Sequence, residues 1–114
     1  MKYEIKKIAK IVDEVITYFM FNYGAESLIE IKCRNKVTHM KFRFSPVDIG
    51  EKEFKKIEKR FAVSRHPELE NYYWQLAGEV EDNNEITLVG MMCDTCTMHL
   101  NNNILDMELT RKLQ

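Results

Sequence analysis

Cysteine, glycine, proline and net charge are all scarce in this 114-residue chain, and each shortage removes a class of protein. Three cysteines are an odd number and too few for a disulfide framework, which points to reduced thiols and a cytoplasmic location. Four glycines and two prolines leave no room for collagen-like or low-complexity segments. Seventeen basic residues against eighteen acidic ones give a net charge of -1. Nucleic-acid affinity comes largely from phosphate neutralisation, and this chain has no basic excess to supply it. No apolar run approaches the ~20 residues that span a bilayer. The opening stretch "MKYEIKKIAKIVDEV" threads charges through its apolar residues, unlike a secretory signal. What remains, 45% hydrophobic and 31% charged, is the composition of one globular domain over residues 1–114.

Apolar periodicity divides the chain into elements. Ile5, Ile8, Val12, Val15, Ile16 and Phe19 recur at helical spacing, and Gly24 suits the left-handed position after a helix end. "SLIEIKC" and "THMKFRFS" then alternate with period two on either side of "RNK", which predicts a hairpin with one apolar and one wet face. Cys33 falls on the apolar phase and is expected in the core; His39 falls on the wet one. Phe54, Ile57 and Phe61 line one side of a short helix whose lysines and glutamates form an exposed face. A further helix opens at Pro67, with Leu69, Tyr72, Tyr73, Leu76 and Val80 as its apolar side, and the acidic loop "EVEDNNE" follows.

"EITLVGMMCD" fits a strand by alternation, or a helix capped by Asn84 and grouping Ile86, Val89 and Cys93; the helix is the reading adopted. "TCTMHL" and "ILDMELT" alternate around "NNN", a second hairpin. The order helix-strand-strand-helix-helix-helix-strand-strand predicts an α+β fold, a two-layer α/β sandwich with a mostly antiparallel sheet of about four strands.

That order, together with "DIGEK" after the second strand and "LVG" in the last helix, resembles a reduced GHKL domain. This is the ATP-binding fold of histidine kinases, gyrase and Hsp90, and bacterial anti-sigma-factor kinases are its small members. The resemblance implies a nucleotide site. In the family a glutamate on the first helix is followed four residues later by a magnesium-binding asparagine, and a D-x-G-x-G turn reads adenine. Glu14, Asp48 and Gly50 match. Tyr18 stands where the asparagine belongs, and tyrosine is no substitute for a hard-metal oxygen ligand. Lys52 replaces the second glycine. The family's phosphate-binding helix start relies on backbone N–H groups, but here Glu79, Glu81, Asp82 and Glu85 surround that position. The resemblance therefore implies a degenerate scaffold that has lost nucleotide turnover and needs no ATP or magnesium.

Two other features could carry chemistry. Cys93 and Cys96 form a CxxC with His99 nearby. One such pair does not complete a zinc site. It also closes a helix and opens a strand, the reverse of the thioredoxin arrangement that activates a thiol. Cys96 should face inward and His99 outward. The second feature is "YYW": Tyr72 and Tyr73 turn toward the sheet, and Trp74 turns away as a protein-docking anchor beside acidic Glu79. The expected function is a non-catalytic regulatory or interaction protein whose partner is another protein. Adenine-nucleotide binding through Glu14, Asp48 and Gly50, and thiol redox or metal chemistry at Cys93 and Cys96, are the alternatives.

Overall fold

A computed structural model describes residues 2–73 and 85–113. The element order is α1 (Lys2–Tyr23), β1 (Glu26–Arg34), β2 (Val37–Ser45), α2 (Glu51–Phe61), α3 (Pro67–Tyr73), α4 (Glu85–Met91), β3 (Thr95–Asn101) and β4 (Ile104–Lys112). The four strands form one antiparallel sheet in the order β1-β2-β4-β3, and helices cover one face of it. The α+β two-layer arrangement expected from periodicity is the one observed.

Local chemistry explains the boundaries. α1 stops where Gly24 adopts φ 62 and its N–H donates to the Met20 carbonyl at 2.9 Å, a left-handed helix end that glycine occupies without a Cβ penalty. Both hairpins turn on two residues of positive φ: Asn35 and Lys36 in the first, Asn102 and Asn103 in the second. Mirror-image turns of this kind match the twist of the strands they join. Residues 85–91 are helical, which resolves the ambiguous segment in favour of its 3.6-residue period.

The core lies between α1 and the two central strands. Ile11, Val15 and Phe19 from α1 meet Met40, Phe42 and Phe44 from β2 and Leu105, Met107 and Leu109 from β4. α2 adds Ile57 and Phe61, and α4 adds Ile86, Leu88 and Val89. α4 comes so close to the end of α2 that a Cβ on Gly90 would sit 2.8 Å from the Phe61 carbonyl oxygen.

The covering layer is narrower than the sheet. α1 touches β1 and α2 touches β3, yet β1 is open on both faces for most of its length. Cys33, expected in the core, is exposed. Alternation assigns a residue to a face, but it does not say whether a helix reaches far enough to bury that face at an edge strand.

α3 departs further from expectation. Leu69 and Tyr72 are exposed, and Glu70 is 2% exposed and points inward. Over its described residues, a buried charge partner decides the orientation of α3. The remainder of the predicted helix, from Trp74 through Val80, lies outside the described residues, as does the acidic loop through Asn84.

Candidate functional site

The residues that match the nucleotide-site pattern lie on separate elements. Glu14 lies on α1, its carboxylate 3.6 Å from Lys10 Nζ in an i, i+4 pair. One turn on, Tyr18 packs edge-on against Phe19 with ring centroids 5.0 Å apart. The Arg60 guanidinium lies 5.8 Å from the Tyr18 ring centre. An aromatic ring and an arginine thus occupy the turn where the resemblance would place a magnesium ligand. Asp48 and Gly50 are exposed in the loop before α2. Gly50 caps that helix with extended backbone (φ -77, ψ 169), and a Cβ there would meet nothing within 4 Å. This glycine is required neither by its own backbone conformation nor by a close approach of another part of the protein. Three shallow grooves on the described surface are lined by other residues. Two lie on the polar sheet face, around Lys41 and Glu108, and one lies beside α2 at Lys55, Lys59 and Cys96.

The CxxC divides as its strand phase requires. Cys93 is buried, Cys96 is half-buried against α2, and His99 is exposed on the opposite sheet face, paired in register with Asp106. Burial, above all other influences, pushes both thiols up to about 12. Among the described residues, no group of three or more His, Cys, Asp or Glu side chains is arranged to hold a metal ion. At neutral pH these thiols carry roughly three orders of magnitude less thiolate than an ordinary cysteine, and thiolate is the reactive form. Titration of the native protein with a thiol reagent should therefore label Cys33 rapidly and Cys93 and Cys96 only on unfolding. Fast labelling of three thiols in the folded protein would overturn this assignment.

The most organised polar constellation was not foreseen from the sequence. Arg111 on β4 is 1% exposed. Its Nε donates to Glu4 at 2.7 Å and its Nη2 to the other Glu4 oxygen at 2.9 Å. Nη1 and Nη2 donate to the two oxygens of Glu70 at 2.8 and 2.7 Å, and Nη1 also donates to the Met92 carbonyl at 2.6 Å. Five bonds use the five N–H donors of a guanidinium. Around this centre, Lys7 donates to Glu70 at 2.9 Å and to Asn71 at 2.6 Å. Arg65 reaches Glu70, Asp94 and the Lys112 carbonyl at 3.3, 2.9 and 2.8 Å. Asp94 in turn accepts from the Lys112 N–H at 2.6 Å.

Three cations and three anions balance, so the burial leaves no net charge uncompensated. Burial alone would lower the Arg111 pKa, but the hydrogen bonds to Glu70 and Glu4 outweigh it and raise the net value. The cluster ties α1, α3 and β4 together. Its central guanidinium has no donor left for a ligand. One signal for it was available: Arg111 continues the inward phase of Leu105, Met107 and Leu109, and a charge on a core phase demands a buried partner.

Of the residues expected to form an interaction surface, Tyr72 is 70% exposed, whereas Trp74 and Glu79 lie outside the described residues. Tyr72 therefore does not turn toward the sheet as its position in "YYW" suggested; α3 is rotated by its buried carboxylate. No protein-family model matches this chain, and no curated protein matches it in sequence.

Proposed function

We propose that this protein acts by binding another protein, on a scaffold resembling a degenerate GHKL domain without nucleotide turnover. The observation that carries the reading is the posture of α3. Its only described buried side chain, Glu70, is an anion pinned by Arg111, Lys7 and Arg65, and that anchoring leaves Leu69 and Tyr72 facing solvent. A helix fixed through a buried charge in this way presents Leu69 and Tyr72 outward, and aromatic side chains dominate association energetics. Trp74, the anchor expected from the sequence, follows directly in the chain.

The thiols support the reading indirectly, since burial holds them in the unreactive form. Tyr18 and Arg60 support it where the resemblance would require a metal ligand.

The test has two arms. Recovery of a protein partner from the source cell should fall at least about tenfold on Tyr72→Ala or Trp74→Ala, with the circular dichroism of the variants unchanged. Unchanged recovery with both variants would remove the proposed surface. In the second arm, millimolar ATP or ADP with magnesium should leave the melting temperature where it is. A ligand present at about 100 times its Kd would stabilise the native state by about 2.7 kcal/mol, and such a rise would replace this reading with nucleotide binding.

A further inference from the structure

β1 is one of the two edge strands of the sheet, nine residues long, and it carries Leu28, Ile29 and Ile31 in the open, Ile31 at 48% exposure. A long apolar edge strand is a template for pairing that monomeric proteins normally blunt. Beside it, α1 leaves a second apolar surface uncovered. Ile5, Ala9, Val12, Ile16 and Met20 recur at helical spacing along one flank; Ile5 is 63% and Met20 49% exposed. The opposite flank of α1 faces the other helices, through Lys7 to Glu70 and through Tyr18 to Arg60. Because α1 sits at the β1 end of the layer and α2 at the β3 end, the uncovered flank overlooks the inner face of β1.

The strand is complementary to itself. The first hairpin turns on two residues, so its flanking pair Arg34 and Val37 exchange backbone bonds, and alternate residues of β1 do the same with β2. The N–H and C=O groups of Ile29, Ile31 and Cys33 consequently point to the open edge. On the inner face, an antiparallel copy centred on Ile31 would set Ile31 on Ile31 and Ile29 on Cys33. On the outer face the same register sets Leu28 on the stem of Arg34 and Glu30 against Lys32, each twice by symmetry. Within one chain Glu30 and Lys32 already lie 3.5 Å apart, about half exposed. Centring the pair one residue earlier would oppose Glu30 to Glu30, and one residue later Lys32 to Lys32, both unfavourable.

We infer that two copies of this chain associate through β1, pairing antiparallel about a two-fold axis at Ile31, with the α1 flanks closing over the apolar inner face. The two sheets become one of eight strands, and the association closes on itself because the same patch serves both copies. The α3 surface lies on the other side of α1, so this association is independent of it.

Sedimentation of the full chain tests it, since mass can be compared with the 13.6 kDa of one copy. Wild type should sediment at twice that mass at about 100 μM, and Ile31→Lys, an exposed site, should sediment as a monomer with its fold intact. Charge reversal provides a second readout that does not touch the apolar face. Glu30→Lys sets the introduced lysine against Lys32 of the second copy, and Lys32→Glu sets the introduced glutamate against Glu30. Each variant alone should therefore dimerise about tenfold more weakly. Mixed together, the two variants restore opposite charges at both cross-strand positions and should recover the dimer as a heterodimer. A wild type that stays monomeric at about 100 μM overturns the inference, as does a dimer indifferent to Ile31→Lys, or a mixture no tighter than its components.

Discussion

Replacing Glu70 with alanine is expected to lower the unfolding free energy by about 3–5 kcal/mol, the usual cost of removing one partner from a buried ion pair. The substitution takes from Arg111, Lys7 and Arg65 the carboxylate they share, and it strips two hydrogen bonds from a guanidinium that is 1% exposed. Urea denaturation monitored by far-ultraviolet circular dichroism measures the loss as a lower midpoint at unchanged slope. Replacing both partners, Glu70→Leu with Arg111→Met, should cost less than either truncation, because apolar residues of similar volume need no compensating charge. A double variant as unstable as Glu70→Ala would show that the position demands the ion pair itself.

The same carboxylate makes stability depend on pH. Burial alone would raise the Glu70 pKa. Hydrogen bonds from Arg111 and then Lys7, reinforced by the charges of Arg111 and Arg65, outweigh it and hold the carboxyl below its ordinary value. A folded-state pKa below the unfolded value of about 4.3 contributes stability that is present above that pH and is lost as the pH falls through the folded value. Asp106, held down by its hydrogen bond from Arg43, acts in the same direction from the exposed face. Stability should therefore decline on acidification below about pH 4.3, and Glu70→Gln should make that decline shallower.

Phe19→Ala is the second large effect, also about 3–5 kcal/mol. Phe19 is fully buried and stacks on Phe44 of β2 with ring centroids 4.5 Å apart and on Phe61 of α2 at 6.4 Å. Truncation removes contacts to β2 and α2 at once. It also opens a cavity bounded by rigid rings, which collapse poorly around a void. Phe19→Leu, which retains most of the volume, should recover the larger part of the loss in the same urea titration. An Ala variant within about 1 kcal/mol of wild type would mean that the core closes around the gap.

The helices and hairpins could be read from the sequence because each is a local pattern: period two around "RNK" and "NNN", and a 3.6-residue period in α1 and α2. Misreadings occurred where the deciding contact was not local. Cys33 sits on an apolar phase, and only the width of the helical layer determines that its face stays open. α3 presents Leu69 and Tyr72 to solvent because Arg111, 41 residues away along the chain, holds Glu70. The nucleotide-site match rests on residue identities in the loop before α2, and aspartate and glycine are ordinary residues of such loops.

The sheet order also sets a sequence of events. β1 with β2, and β3 with β4, are local hairpins that can close within about 1–10 μs. The seam between β2 and β4 joins Phe42 to Met107 and Met40 to Leu109, and α2, α3 and α4 all lie on the loop it closes. That loop entropy must be spent before the central pairing returns anything. The interior of the protein is therefore assembled by its least local contacts. The two edge hairpins close the shortest loops in the sheet, and the seam at its middle closes the longest.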